Sequence, residues 1–177
     1  DHGIEVDSVR VIIGYQVRST ISDAQAEALN YDLFADPVIE FAATGSRILD
    51  DFTDAPEVAI QIGFKPGVTD NSAQAGLDGL TTLFPEQKEA RVATYRTYAF
   101  WGVQDTVSPS ELAATLHNPM IERASVADRN GCSMGHWPEL GFPDVPPNIF
   151  KEPTTIDLEV SDDELLEISE RGLLALN

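Results

Sequence analysis

Three groups of residues in this sequence are of types that can do chemistry. The first is Lys65-Pro66-Gly67-Val68-Thr69-Asp70, set between the apolar run IQIGF and the helix-forming run NSAQAGL. A glycine turn leading from a strand into a helix can cradle a phosphate, because the helix start offers free amides and Lys65 offers a positive charge. It can equally form an effector-binding edge, or simply turn the chain. Pro66 fixes φ, Gly67 admits a left-handed backbone, and Thr69, Asp70 or Asn71 can cap the helix. Judged on these residues alone, the well-made turn is the favoured reading.

The second group is Cys132 and His136, spaced as two metal ligands could be. A closed zinc site needs four ligands, so a linker thiol and a surface histidine describe the pair better. The third group is the acids of DDFTD (50–54) and SDDE (161–164). Paired acids serve as acid and base only where a pocket shifts their pKa values, so solvated linker and helix-cap roles fit them better. His2 sits at a terminus and His117 at an expected helix end. Trp101, Trp137 and the tyrosines at 95 and 98 read as core or interface. The sequence holds no Gly-x-Ser-x-Gly, no Walker loop and no His-Glu-x-x-His. No residue is therefore assigned as catalytic, and none as a metal ligand.

Composition narrows the classes further. The chain has 177 residues, enough for one domain with an extension or two small ones. Thirty acids against 11 bases give a formal charge of −19. Nucleic acid and anionic membranes would be repelled, so neither is an expected partner. No apolar run reaches the ~18 residues of a membrane span. The start, DHGIEVDSVR, lacks the basic and apolar regions of a signal peptide, and it lacks Met, which suggests trimming or a fragment. The single cysteine cannot form an internal disulfide, in keeping with a reducing cytoplasm.

The elements that must position these groups are legible as patterns. Residues 8–17 are rich in β-branched residues and read as a strand. Ser22 and Gln25 have capping-box spacing, so a helix is expected to start there and to end or bend at Pro37. VIEFAATG (38–45) reads as a short strand, and 48–56 as a linker. Residues 57–64 alternate, with Val58, Ile60, Ile62 and Phe64 on one face and Glu57, Ala59, Gln61 and Gly63 on the other. That pattern predicts a half-buried strand. After the turn, Ala73, Leu77, Leu80 and Phe84 share a helical face. Gly76 and Gly79 weaken that helix and are expected to pack closely on a sheet. Residues 90–101 read as a strand, and Ser108, Pro109 and Glu111 mark the clearest helix start in the chain. From 131 to 155 the chain is rich in Gly and Pro and reads as irregular linker. Ser161 and Glu164 box a final helix, whose stripe of Leu165, Ile168, Leu173 and Leu176 predicts that a further segment covers it or that it folds back.

An internal repeat organises these elements. FADPVIEFA (34–42) matches LHNPMIERA (116–124) without a gap, aligning Pro37 with Pro119, Ile39 with Ile121 and Glu40 with Glu122. Each copy comes after a strand and a capped helix, and the second copy has an extra strand–turn–helix before it. The expected fold is α+β: two ferredoxin-like βαβ units sharing an antiparallel sheet with helices on one face. Residues 1–130 would form this two-unit domain, and 131–177 a linker with the terminal helix.

VAIQIGFKPGVTDNSAQAGLDGL resembles the first strand, turn and helix of the small third subunit of phosphoribosylformylglycinamidine synthase. ARVATYRTYAFWG with ELAATLHNPMIERASV resembles the rest of that subunit. In the single-chain form of this synthase an N-terminal domain mimics a dimer of the subunit. Residues 8–46 resemble the second half of a copy and 57–126 a whole one. LEVSDDELLEISERGLLALN resembles the linker before the synthetase core, while 131–155 has no counterpart. The resemblance implies a part of the enzyme that converts formylglycinamide ribonucleotide to formylglycinamidine ribonucleotide with glutamine, ATP and Mg. It implies no cofactor in this chain, since both active sites lie C-terminal to the matching region. Its partners would be the synthetase and glutaminase domains of the same cytoplasmic enzyme. The turn residues Lys65, Pro66, Gly67 and Asp70 would then be interdomain-contact candidates. From a different class, βαβ effector-binding regulatory modules also carry a strand, Pro-Gly-Val and a helix. A purely structural oligomerisation domain is the third reading.

Overall fold

Val58, Ile60 and Ile62 carry large branched side chains two residues apart, a spacing that drives an extended segment into a core. They belong to an inner strand of a four-stranded antiparallel sheet in the computed structural model, which describes residues 4–45, 52–104, 106–145, 157 and 159–172. The elements are β1 (Ser8–Arg18), α1 (Asp23–Leu29, widening into a π turn over Asn30–Phe34), β2 (Val58–Phe64), α2 (Asn71–Leu83), β3 (Arg91–Trp101), α3 (Pro109–Leu116), β4 (Glu122–Ala127), α4 (Arg129–Ser133) and α5 (Asp162–Gly172). The strand order is β1-β3-β2-β4. The class is thus α+β. The chain divides into two compact units, Asp1–Val145 and Pro146–Asn177.

Strand register assigns side chains to faces, because directly paired residues share one. Val58, Ile60 and Ile62 pair with Phe100, Tyr98 and Arg96. On this first face they meet Val103, Leu112 and Ala113, the last two on α3. At the other end of the same face, Leu29 of α1, Leu80 of α2 and Ala90 pack with Val17 and Phe34. Tyr15 stacks on Phe34 with ring centroids 4.4 Å apart. Gly76 lets α2 approach this layer: a Cβ there would lie 3.0 Å from Phe34, 3.6 Å from Val92 and 3.7 Å from Tyr15. Gly79 does not pack on the sheet as expected; its neighbour is Leu33 in the π turn.

The opposite face corrects the expectation of a half-buried β2. Residues 58–63 are buried without alternation, because 131–145 covers the second face. Ala59, Ala127, Cys132 and Trp137 form one cluster there. Leu140 packs over Gly63 and is itself buried. Hence the expected linker is, up to Val145, a strap on the sheet. The first unit runs 15 residues beyond the expected boundary at 130. The helices do not all lie on one face either, since α4, which leads into this strap, packs on the second face through Cys132.

The repeat folds twice into the same box. In the first copy, Asp36 N–H donates to Glu40 Oε2 at 2.8 Å and Val38 N–H to Asp36 Oδ1 at 2.8 Å. In the second, Asn118 N–H donates to Glu122 Oε2 at 2.8 Å and Met120 N–H to Asn118 Oδ1 at 3.0 Å. The carbonyls of Asp36 and Asn118 each accept from the third and fourth residues on. Proline at the next position presets the turn. Beyond the box the two copies diverge. Residues 122–127 form β4 on β2, whereas the strand expected over 38–45 is absent: 37–39 turn, and 40–43 have no sheet partner. β4 is a strand because β2 supplies its ladder, and no described strand plays that part for 40–45.

In the second unit, Ser161 and Glu164 close the expected capping box, with Ser161 Oγ to Glu164 Oε2 at 2.9 Å and Glu164 N–H to Ser161 Oγ at 3.4 Å. Those hydrogen bonds hold the Glu164 carboxyl below its ordinary pKa. Leu173 and Leu176 of the expected stripe lie outside the described residues.

Candidate functional site

β2 delivers the chain to the Lys65–Asp70 turn, and each residue of the turn has a definable task. Gly67 has φ +84°, which an L side chain adopts only with strain, and open space lies where its Cβ would be. Asp70 is the N-cap of α2: Oδ1 accepts the Ala73 amide at 2.8 Å. Its other oxygen accepts the Thr94 amide at 2.9 Å and the Thr94 hydroxyl at 2.8 Å, fastening the helix start to β3. Lys65 N–H donates to Ile121 O at 2.9 Å, and its ammonium donates to Pro119 O. The turn is thereby pinned to the second copy of the box. Pro66 and Gly67 stand exposed at its tip.

Beside this turn lies a cleft of about 380 Å³, lined by Lys65, Asp70, Arg91, Tyr95, Arg123 and Phe142 among others. Three cations around one cleft stand out in a chain of charge −19. Their donors, however, point into the protein. Arg123 gives Nε to Phe64 O at 3.1 Å and a second donor to Gly141 O. Arg91 pairs with Asp144, as does Arg18 at 3.0 Å. The two guanidinium groups also lie over Phe142, Arg18 4.4 Å and Arg91 4.8 Å from its centroid. Arg123, through Gly141, and Arg18 and Arg91, through Asp144, therefore hold the strap down, whereas Lys65 holds the turn. The hydrogen bonds from Arg18 and Arg91 keep the Asp144 carboxyl below the usual carboxylate range.

The strap is fastened from the sheet as well. Gln61 Oε1 accepts the Leu140 amide at 2.7 Å, its amide group reaches Thr97 Oγ1 at 3.3 Å, and Gln16 Nε2 donates to Leu140 O at 2.6 Å. Tyr95 lies between Gly14 and Gly63 on the neighbouring strands. Burial, and secondarily the nearby Glu139 charge, push its phenol above the ordinary value.

The other candidates separate. Cys132 is buried against Ala59 and Ala127, its thiol facing Ala127 O at 3.7 Å, and burial raises its pKa. His136 lines a different, open depression with Asp128 and Trp137. Among the described residues, no group of three or more His, Cys, Asp or Glu is placed to hold a metal ion. His117 caps the end of α3, Nδ1 lying 2.7 Å from Ala113 O. Asp50 and Asp51 lie outside the described residues, and Asp54 O accepts Trp101 Nε1–H at 3.2 Å.

Of the four turn residues, Lys65 and Asp70 spend their polar atoms internally, and Pro66 and Gly67 are exposed. Sequence reasoning missed Arg18, Arg91, Arg123 and Asp144, which no local pattern marks, and placed Gln61 on an open face. The arrangement can present a rigid shaped surface. No family model matches the chain, and no curated protein or solved structure matches it either. No helix among the described residues is long and apolar enough to cross a membrane.

Proposed function

We propose that this chain is the N-terminal structural domain of a phosphoribosylformylglycinamidine synthase, packing the synthetase against the glutaminase and supporting ammonia transfer between them. The observation that carries this reading is the duplicated box together with the placement of the strands before it. β1 and β3 occupy equivalent positions ahead of the two boxes, and they pair antiparallel over their full length about Ile13–Arg96. Two repeats related by a local two-fold would pair in this way, and the resemblance is to a domain that mimics a dimer. On this reading the chain is non-catalytic, the ferredoxin-like βαβ unit is the repeated element, and ATP and Mg act in the synthetase portion. The exposed tip at Pro66 and Gly67, rather than Lys65 or Asp70, would meet the partner. Mixing this chain with the synthetase–glutaminase portion tests it. A complex with restored glutamine-dependent amidation is expected, and failure to associate at any ionic strength would remove the reading.

The cleft beside the turn favours a second reading, an effector-binding regulatory module. Thermal shifts against amino acids and nucleotides separate the two. A micromolar effector whose shift disappears in Gly67→Val would favour the module.

A further inference from the structure

The inner strand β3 runs past the end of its neighbour. The β2–β3 ladder stops at the pair Gly63–Tyr95, while β3 begins four residues earlier, at Arg91, and stays paired with β1 to that end. Successive residues of a strand turn their backbone groups to opposite neighbours. Glu57 N–H donates to Phe100 O, so the even-numbered residues of β3 face β2. Thr94 therefore faces the space that β2 has left, and Asp70 has taken its amide. The backbone of Val92 faces the same space, and no described residue pairs with it there. The cleft beside the Lys65–Asp70 turn is that space, with Val92 and Thr94 in its lining and apolar walls at Phe64, Val68, Leu77, Leu140 and Pro143. Among the described residues that line it, Lys65, Arg91 and Arg123 are cationic and Asp70 alone is acidic. In a chain of charge −19 this is a local reversal of sign.

At one end of the cleft Arg91 stands directly opposite Arg18 of β1. Like charges so placed repel. One carboxylate relieves them: Asp144 accepts both nitrogens of the Arg18 fork at 3.0 Å, and Arg91 donates to the same Oδ1. Two guanidinium groups against one carboxylate leave a positive charge over, and all three side chains are about half exposed. We propose that the cleft binds a small organic anion. Its carboxylate or phosphate takes the place of Asp144 on Arg18 and Arg91, an amide-type donor and acceptor pair with the Val92 backbone, and an apolar body fills the walls. Guanidinium forks receive carboxylate and phosphate in the same bidentate way. The volume is that of a small-molecule site. The charge of −19 disfavours an extended polyanion, but a small one responds chiefly to charges within a screening length of about 8 Å, where the cations prevail. Asp144 is then an internal competitor that holds the arginines while the cleft is empty. The inference rests on the effector-binding reading and adds the chemistry of the ligand.

The probes are N-acetylphenylalanine, its uncharged carboxamide, and phenyl phosphate, each titrated into the full chain and followed at the backbone amides by NMR. The expected result is saturable binding of an anionic probe that shifts the Val92 and Thr94 amides. The carboxamide should bind about tenfold more weakly than the acid. Phenyl phosphate acting at the same amides more tightly than the acid supports the site and assigns phosphate as the head group; the reverse order assigns carboxylate. Asp144→Asn keeps the shape of the side chain and removes its charge, so it should tighten binding about fivefold or more. Arg91→Gln should weaken binding about tenfold with the circular dichroism unchanged. Three outcomes overturn the proposal. One is the absence of a saturable Val92 shift with either anion. Another is equal affinity for the acid and its carboxamide. The last is Asp144→Asn binding no more tightly than the natural chain. An uncharged effector with a Gly67-dependent thermal shift would overturn this inference and leave the regulatory module standing, whereas a cleft that binds no probe or effector of any charge removes both.

Discussion

Glu40 and Glu122 make the same hydrogen bond in two settings, so the pair isolates what surroundings add to a turn. Glu122 is 8 % exposed, and its second oxygen accepts from Arg96 at 2.7 Å. Glu40 is exposed and closes only its own box. Removing Glu122 opens the Asn118 amide and strips the counter-charge from Arg96, whose Nε is already buried without a partner. Because Arg96 is partly exposed, Glu122→Ala is expected to cost about 2 kcal/mol, below the range for fully buried pairs. Glu40→Ala should cost only about 0.5 kcal/mol. Equal shifts of the two variants in urea unfolding would contradict this difference in setting. Gly14 offers a second test at this scale. A Cβ there would collide with the Tyr95 ring. Gly14→Ala should therefore destabilise by about 1–3 kcal/mol through overpacking. Tyr95→Leu in the same chain should recover part of that loss; no recovery would mean the ring is not the obstacle.

At the scale of elements, the features readable in the sequence were those whose physics is local. The boxes at Ser22–Gln25, Ser108–Glu111 and Ser161–Glu164 all close where the spacing places them. β1, β2, β3 and α2 arise from branched or periodic apolar residues. What failed was non-local. The strand expected over 38–45 has the composition of one but no neighbouring ladder, and β2's polar face is buried by a segment some 80 residues away that composition marks as linker. The strap's attachment is open to test. The Asp144 pKa is lowered in the fold, so its contribution is complete above the unfolded carboxylate value and is lost as pH falls through the folded one. The stability gap between the natural chain and Asp144→Asn should hold steady from about pH 7 to 5 and close below about pH 4. A gap that stays constant into acid would place Asp144 outside the attachment.

At the scale of the molecule, the question is where the first domain ends. Sequence composition shifts at 131, yet Cys132, Trp137 and Leu140 complete the second face of the sheet, and the compact unit extends to Val145. A chain cut after 130 would uncover Ala59, Gln61, Gly63 and Ala127. It would also leave Gln61 without the Leu140 amide and Arg18 and Arg91 without Asp144. Losing the buried Leu140 side chain alone costs about 2 kcal/mol, and the opened cluster around Cys132 roughly as much again. Against a total stability of about 5–15 kcal/mol for a domain, that is a large share. Residues 1–145 should thus unfold cooperatively at nearly the denaturant midpoint of the full chain, while 1–130 should unfold far earlier or fail to fold. Coincident midpoints for the two truncations would show that the strap adds nothing, and would return the boundary to 130.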